Sequence, residues 1–325
     1  PTYSYLWSNG ATTQNISNLS EGTYSVTVTD LNQCTTAQTV VITEPTSFVD
    51  IGGGATTSAY AGGFNISCNG YNTGTITVQA GGGVTPYTYY EGGSQNSPPT
   101  SGFFNNLSQG TYNLSVVDAN QCPINWNNIL LTEPIELTSN ISEESNYNNF
   151  GVHCNGDNDG YINLDVYDGV PTYSYLWSNG ATTQNISNLS AGTYSVIATD
   201  SNGCTTSESV LITEPDLLTS SVDTSNYNDF GVHCNGDSDG YIDLSVNDGV
   251  PAYSYSWTGP NGYTSLQDSI SGLSAGTYSV TVTDLNECTT SETVVITEPA
   301  LFEDAGNGVT TSIYAGGFNI SCNGL

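Results

Sequence analysis

Apolar and polar residues alternate with a period of two along much of this chain. In the run 160–167, Ile162, Leu164 and Val166 share one face. In 172–178 the same pattern places Tyr173, Tyr175 and Trp177 together, and in 192–199 it places Tyr194, Val196 and Ala198. A further β-rich run, CTTSESVLIT, follows at 204–213. Successive side chains of a strand point to opposite faces, so each alternating run predicts a strand with one buried side. Short strands separated by turn signals predict an all-β sandwich. The turn chemistry agrees, with Asn-Gly in WSNGA (177–181) and an Asx turn in TDSNGC (199–204).

The pattern recurs. Residues 1–20 are identical to 171–190. The phrase Leu-Thr-Glu-Pro or Ile-Thr-Glu-Pro closes a stretch at Pro45, Pro134, Pro215 and Pro299. These phrases predict complete repeats at 46–134, 135–215 and 216–299, with the back half of one at 1–45 and the front of another at 300–325. Both ends stop inside a repeat, and residue 1 is Pro rather than Met, so the expectation is an excerpt of a longer array. A Leu, then Gly, then Tyr recurs at 19–24, 107–112, 189–194 and 273–278. That phrase resembles the tyrosine corner of immunoglobulin-like and fibronectin-like sandwiches.

Composition narrows the function. The chain has no Lys or Arg, 31 acidic residues and a formal charge of −31. Nucleic-acid binding needs cations against phosphate, so nucleic-acid partners are excluded. Lys–Asn isopeptide crosslinks are equally excluded, and trypsin has no site to cut. No run is apolar for long enough to span a membrane as a helix.

Six of the eight cysteines fall two to each complete repeat. The expected pairs are Cys68–Cys122, Cys154–Cys204 and Cys234–Cys288, one disulfide per repeat, with Cys34 and Cys322 single in their incomplete repeats. Such bonds stabilise small domains and belong to an oxidising, extracellular compartment. Zinc is a poor alternative, because His153 and His233 give each repeat one His at most.

Taken together, SCNG or HCNGDxDG, YSYLWSNGATT, NLSAGTYSVTVTDxNxC and ITEP resemble the SprB-type repeat of giant cell-surface adhesins of Bacteroidetes. The resemblance spans nearly the whole chain. It implies an adhesin exported by the type IX pathway and, in gliding bacteria, moved along the cell to drive motility. Candidate partners are then neighbouring repeats of the same chain, surface polysaccharide and the gliding or secretion machinery. Repeats 46–134 depart from the pattern in one strand, where Glu91 stands in place of Trp and Trp126 is the candidate to compensate.

Several residues carry candidate chemistry. Asn155, Asp157 and Asp159, and again Asn235, Asp237 and Asp239, space oxygen side chains at alternate positions before a Gly, like the opening of a Ca²⁺ loop. The twelfth-position Glu is absent, so Asp168 and Asp248 are the candidate completing donors; the alternative is an acidic hairpin turn. Tyr173 and Tyr175 are candidates for stacking on glycans, or else core residues with polar tips. Asp268-Ser269-Ile270 resembles a short O-glycosylation signal at Ser269. No nucleophile–His–acid set stands out, and an enzyme is not expected. The reading is an adhesin stalk, with a self-assembling filament or sheath and a glycan-binding module as alternatives.

Overall fold

The computed structural model describes residues 2–92 and 101–302. It is all-β, with antiparallel sheets and two short 3₁₀ turns. The predicted repeat beginning at 300 lies almost wholly outside the described residues, as does Cys322.

The stretch 216–299 shows the architecture most fully. One sheet pairs Thr219–Thr224 with Gly240–Asn247, and Gly240–Asn247 with Ile270–Leu273. The other is four-stranded, in the order Thr264–Ser265, Ser254–Thr258, Gly276–Thr283, Thr289–Ile296. Val232, Ile242, Trp257, Ile270, Leu273, Tyr278, Val280, Val282 and Ile296 form the core. Alternation explains this core directly. Val280 and Val282 point inward from Gly276–Thr283, whereas Thr281 between them is exposed.

The stretch 135–215 repeats the plan. Its sheets are Thr138–Glu144, Gly160–Tyr167 and Ile186–Leu189, and Ser174–Trp177, Gly192–Thr199 and Thr205–Ile212. Ile162, Leu164, Trp177 and Val196 are buried as the alternation predicts, and Val166 and Tyr175 are half-buried against them. In 46–134, Thr88–Glu91, Gly110–Val117 and Pro123–Leu131 form one sheet, and Thr56–Thr57, Gly74–Thr77 and Phe103–Leu107 another. Residues 2–45 contribute one three-stranded sheet, Tyr3–Trp7, Gly22–Asp30 and Thr35–Ile42.

The tyrosine corner is present four times. The hydroxyls of Tyr24, Tyr112, Tyr194 and Tyr278 donate to the carbonyls of Ser20, Ser108, Ser190 and Ser274 at 2.9–3.1 Å. Each pins the entry of a long central strand to the loop four residues upstream, the role the Leu-Gly-Tyr phrase predicted.

By compactness the chain falls into two units. One comprises residues 1–138, 167–173 and 199–206; the other comprises 139–166, 174–198 and 207 onward. Each disulfide described below lies within a single unit.

Candidate functional site: a clasp of cysteine loop and terminal turn

Two recurring pieces of backbone build the site. The first is the turn carrying the second cysteine of each stretch, with the sequence Asp-x-Asn-x-Cys. In 282–288, Asp284 Oδ1 accepts the N–H groups of Asn286 and Cys288, both at 2.9 Å, while Oδ2 accepts that of Val250 at 2.8 Å. Asp200 does the same for Asn202, Cys204 and Val170, and Asp118 for Asn120, Cys122 and Val84. One buried carboxylate thus organises the turn and fastens it to the loop that crosses from one sheet to the other, as between Gly240–Asn247 and Ser254–Thr258. Hydrogen bonds from the N–H of Cys122, then of Val84 and Asn120, outweigh desolvation and hold the Asp118 carboxyl below the usual carboxylate range. Gly249, at φ +67°, lets the carboxylate in: a Cβ there would sit 2.9 Å from Asp284 Oδ2.

The second piece is the loop carrying the first cysteine, with the sequence Cys-Asn-Gly. Here the Glu-Pro phrase finds its physical use. The side-chain amides of Asn69, Asn155 and Asn235 donate to the carbonyls of Pro134, Pro215 and Pro299 at 3.0–3.1 Å. The N–H groups of Gly70, Gly156 and Gly236 donate to the carboxylates of Glu133, Glu214 and Glu298 at 2.7–2.8 Å. Phrases about 60 residues apart in sequence therefore form a single latch, since neither is complete without the other.

The two pieces meet in a clasp. In 154–288, Asn286 enters the loop of the preceding stretch, and its amide donates to the carbonyls of His153 (2.9 Å) and Tyr147 (3.2 Å). Its Oδ1 accepts from the Asn148 amide at 2.5 Å. Asn286 is 4% exposed, so these bonds satisfy an amide that burial would otherwise leave costly. Asn202 makes the equivalent entry: its amide donates to the carbonyls of Ser67 (3.1 Å) and Ala61 (3.3 Å), and its Oδ1 accepts from the Ala61 N–H at 2.9 Å. Each entry ends in a disulfide, Cys68–Cys204 and Cys154–Cys288, with Cα–Cα 5.6 Å in both.

These bonds correct the expected pairing. Neither Cys68–Cys122, Cys154–Cys204 nor Cys234–Cys288 forms. The first cysteine of a stretch bonds the second cysteine of the next stretch, and Cys34, Cys122 and Cys234 are exposed thiols. Within a stretch the first cysteine is latched beside the Glu-Pro end, while the Asp-centred turn holds the second beside the loop that crosses between the two sheets. The partner residue that sequence reasoning missed is the Asn of Asp-x-Asn-x-Cys. Its recurrence two places before each second cysteine was a signal that those turns have a use in common.

The Ca²⁺ candidates are spent otherwise. Asn155 and Asn235 are the latch donors. Asp157 and Asp237 accept the N–H groups of Cys154 and Cys234. Asp159 and Asp239 each accept a His N–H from the backbone at 3.2 Å and pair with the same ring, His153 and His233. Tyr147 and Tyr227 stack on these rings at 3.6 and 3.7 Å between centroids. The side-chain bond from His233 outweighs desolvation and holds Asp239 below the usual carboxylate range. Asp168 and Asp248 have positive φ, and their carbonyls accept the hydroxyls of Tyr173 and Tyr253. Among the described residues, no group of three His, Cys, Asp or Glu side chains is placed to hold a metal ion.

The glycan candidate Tyr173 has its hydroxyl engaged by Asp168, and Tyr175 packs against the core. Ser269 is half-buried, and its Oγ accepts the Leu244 N–H at 3.4 Å. Among the described residues, no helix is long and apolar enough to cross a membrane.

Comparison with known proteins agrees with the recurring phrases. The SprB repeat family model matches residues 65–90, 152–182 and 232–262. Each match takes in the cysteine loop and the strand after it. No curated protein matches the sequence. Among solved structures, a tetra-tandem repeat in the extending region of a large adhesion protein is 14% identical over 91% of both chains, with a TM-score of 0.29. The N-terminal eight Ig domains of Down Syndrome Cell Adhesion Molecule are 11% identical over 91% of this chain, with a TM-score of 0.28. This chain spans 64% of that one, less than two thirds. Likeness at these scores carries no argument of its own, and the fold rests on the sheets described above. The three family matches, each opening on a latched cysteine loop, support a SprB-type repeat region.

Proposed function

We propose that this chain is a tension-resisting stalk segment of a secreted cell-surface adhesin, built from sandwich repeats at 46–134, 135–215 and 216–299. The observation that carries the reading is the clasp: cysteines are spent on joining one stretch to the next rather than on closing each stretch on itself. A spacer under tension gains from such bonds. The bonds close loops of 136 and 134 residues, and because these loops overlap they together shorten the span 68–288 to the segment 154–204, removing about 170 residues from the extensible length. In the chain-entropy model, closing loops of that size contributes about 5 kcal/mol each. The acidic surface, with no cation to neutralise it, keeps neighbouring stalks apart by repulsion. Surface attachment and gliding are the roles such a stalk would serve outside the cell, exported by the type IX route.

Single-molecule pulling tests this reading. Reduction should lengthen the fully extended chain by about 570 Å, at roughly 3.4 Å per residue. An extended length unchanged by reduction would overturn the tension-resisting role.

A further inference from the structure

We propose that the Cys234 loop is an open docking surface for the terminal Asp-x-Asn-x-Cys turn of another SprB-type repeat, sealed by a disulfide to Cys234. Three cysteine loops are described, and two of them are filled. The loop at Cys68 holds Asn202 and Cys204, and the loop at Cys154 holds Asn286 and Cys288. The third is built like the second. Cys234 N–H is capped by Asp237, His233 pairs with Asp239 and stacks on Tyr227, and Asn235 and Gly236 are latched to the Glu298-Pro299 end. The groups corresponding to those that grip Asn286 are the carbonyls of His233 and Tyr227 and the amide of Asn228.

Exposure distinguishes the filled loop from the open one. His153, Cys154 and Asp159 are half-buried, whereas His233, Cys234 and Asp239 are exposed. Terminal turns show the same contrast from the other side. Asn286 and Cys288 are buried in their clasp, but Asn120 and Cys122 are exposed, although Asp118 holds that turn by the same three bonds. The open surface and the open turns are therefore already shaped, and docking asks neither to refold. Two thiols give up two protons and two electrons when the bond forms. A small-molecule disulfide accepts them by thiol–disulfide exchange and leaves as two thiols.

The intact chain supplies both halves of the test, because a second copy offers its Cys34 and Cys122 turns. The protein is held in a buffer of oxidised and reduced glutathione, then digested with a Glu-specific protease and mapped by mass spectrometry without reduction. The expected interchain bonds are Cys234–Cys122 and Cys234–Cys34. The double variant Asn32→Ala, Asn120→Ala should lower their yield at least about fivefold, the loss of roughly 1 kcal/mol of hydrogen bonding at docking. Both Asn side chains are exposed in the free turn, so the variant keeps its fold. Interchain bonds distributed among all three thiols without preference, or a yield unmoved by the Asn variant, would overturn the proposal.

Discussion

Stretches 46–134 and 216–299 solve one packing problem in opposite ways. In 216–299 the inner strand residue Val280 lies between Trp257 on one neighbouring strand and Glu292 on the other. In 46–134 the corresponding Leu114 lies between Glu91 and Trp126. The aromatic and the acid have exchanged strands. A third position follows the exchange. Where Glu292 stands, Ser220 donates to it at 3.0 Å; where Trp126 stands, Asp50 accepts its indole N–H, also at 3.0 Å. Ser220 and Asp50 both lie five residues after a Glu-Pro phrase. The sandwich therefore requires one large ring against the inner strand and a satisfied polar pair at the facing sheet, and it does not specify which strand supplies the ring.

The strongest test is to undo the exchange by halves. Trp126→Glu alone removes the ring from the core and places two carboxylates at Asp50, and should cost at least about 4 kcal/mol. Adding Glu91→Trp and Asp50→Ser should bring stability back to within about 1.5 kcal/mol of the parent, as a rearranged core of equal volume allows. Hydrogen exchange resolved to residues 46–134 measures both. A triple variant no more stable than the single one would show that the two layouts are not interchangeable.

A smaller effect separates the tyrosine corners. Tyr278 is 2% exposed, whereas Tyr112 is half-buried. Tyr278→Phe orphans a carbonyl in a tighter site and should cost about 1–1.5 kcal/mol, with Tyr112→Phe nearer about 0.5 kcal/mol. Denaturant titration with exchange readout ranks them, and the reverse order would contradict the burial argument.

The exchange also predicts a difference in acid. Desolvation raises the Asp50 pKa, but the Trp126 indole and the N–H groups of Gly52, Gly54 and Gly53 together lower it below the ordinary 3.8. A carboxyl depressed in the folded state stabilises at neutral pH, and this contribution is lost as pH falls from the ordinary value through the folded one. Residues 46–134 should thus lose stability below about pH 4, and Asp50→Asn should flatten that part of the pH profile. An unchanged profile would remove Asp50 from the account.

The smallest expected effect is that of a chelator. The loop of 216–299 carries Asp237 and Asp239, while that of 46–134 has Tyr71 and Thr73 at those places. With these carboxylates spent on loop N–H groups and His233, EDTA should leave the melting of both stretches unchanged within about 1 °C, since a bound ion acts only by mass action. Selective destabilisation of 216–299 would restore the Ca²⁺ reading.

Much of the fold was legible because a strand displays its burial in alternation. Ile162, Leu164, Trp177 and Val196 could be placed inward from the period alone, and the tyrosine corners from a Leu-Gly-Tyr phrase. The disulfide partners were not legible. Two cysteines per repeat are equally compatible with closure within a repeat and with closure onto the next, because sequence spacing does not record which end of a sandwich each loop occupies. That information resides in Asn155 reaching Pro215 and in Asp200 reaching Val170, contacts made across 60 and 30 residues. The acidic loop was ambiguous for a related reason: side chains spaced for an ion are equally spaced for neighbouring N–H groups, and Asp157 and Asp237 accept those of Cys154 and Cys234.

The two disulfides overlap along the chain, because Cys154 lies between Cys68 and Cys204. Three segments, 68–154, 154–204 and 204–288, therefore run as alternative covalent routes between one bond and the other. A protease that nicks any one of them leaves two routes intact, and even two nicks in different segments leave one. A chain cross-linked in this way stays in one piece after cleavage between its disulfides that would sever a string of individually closed domains.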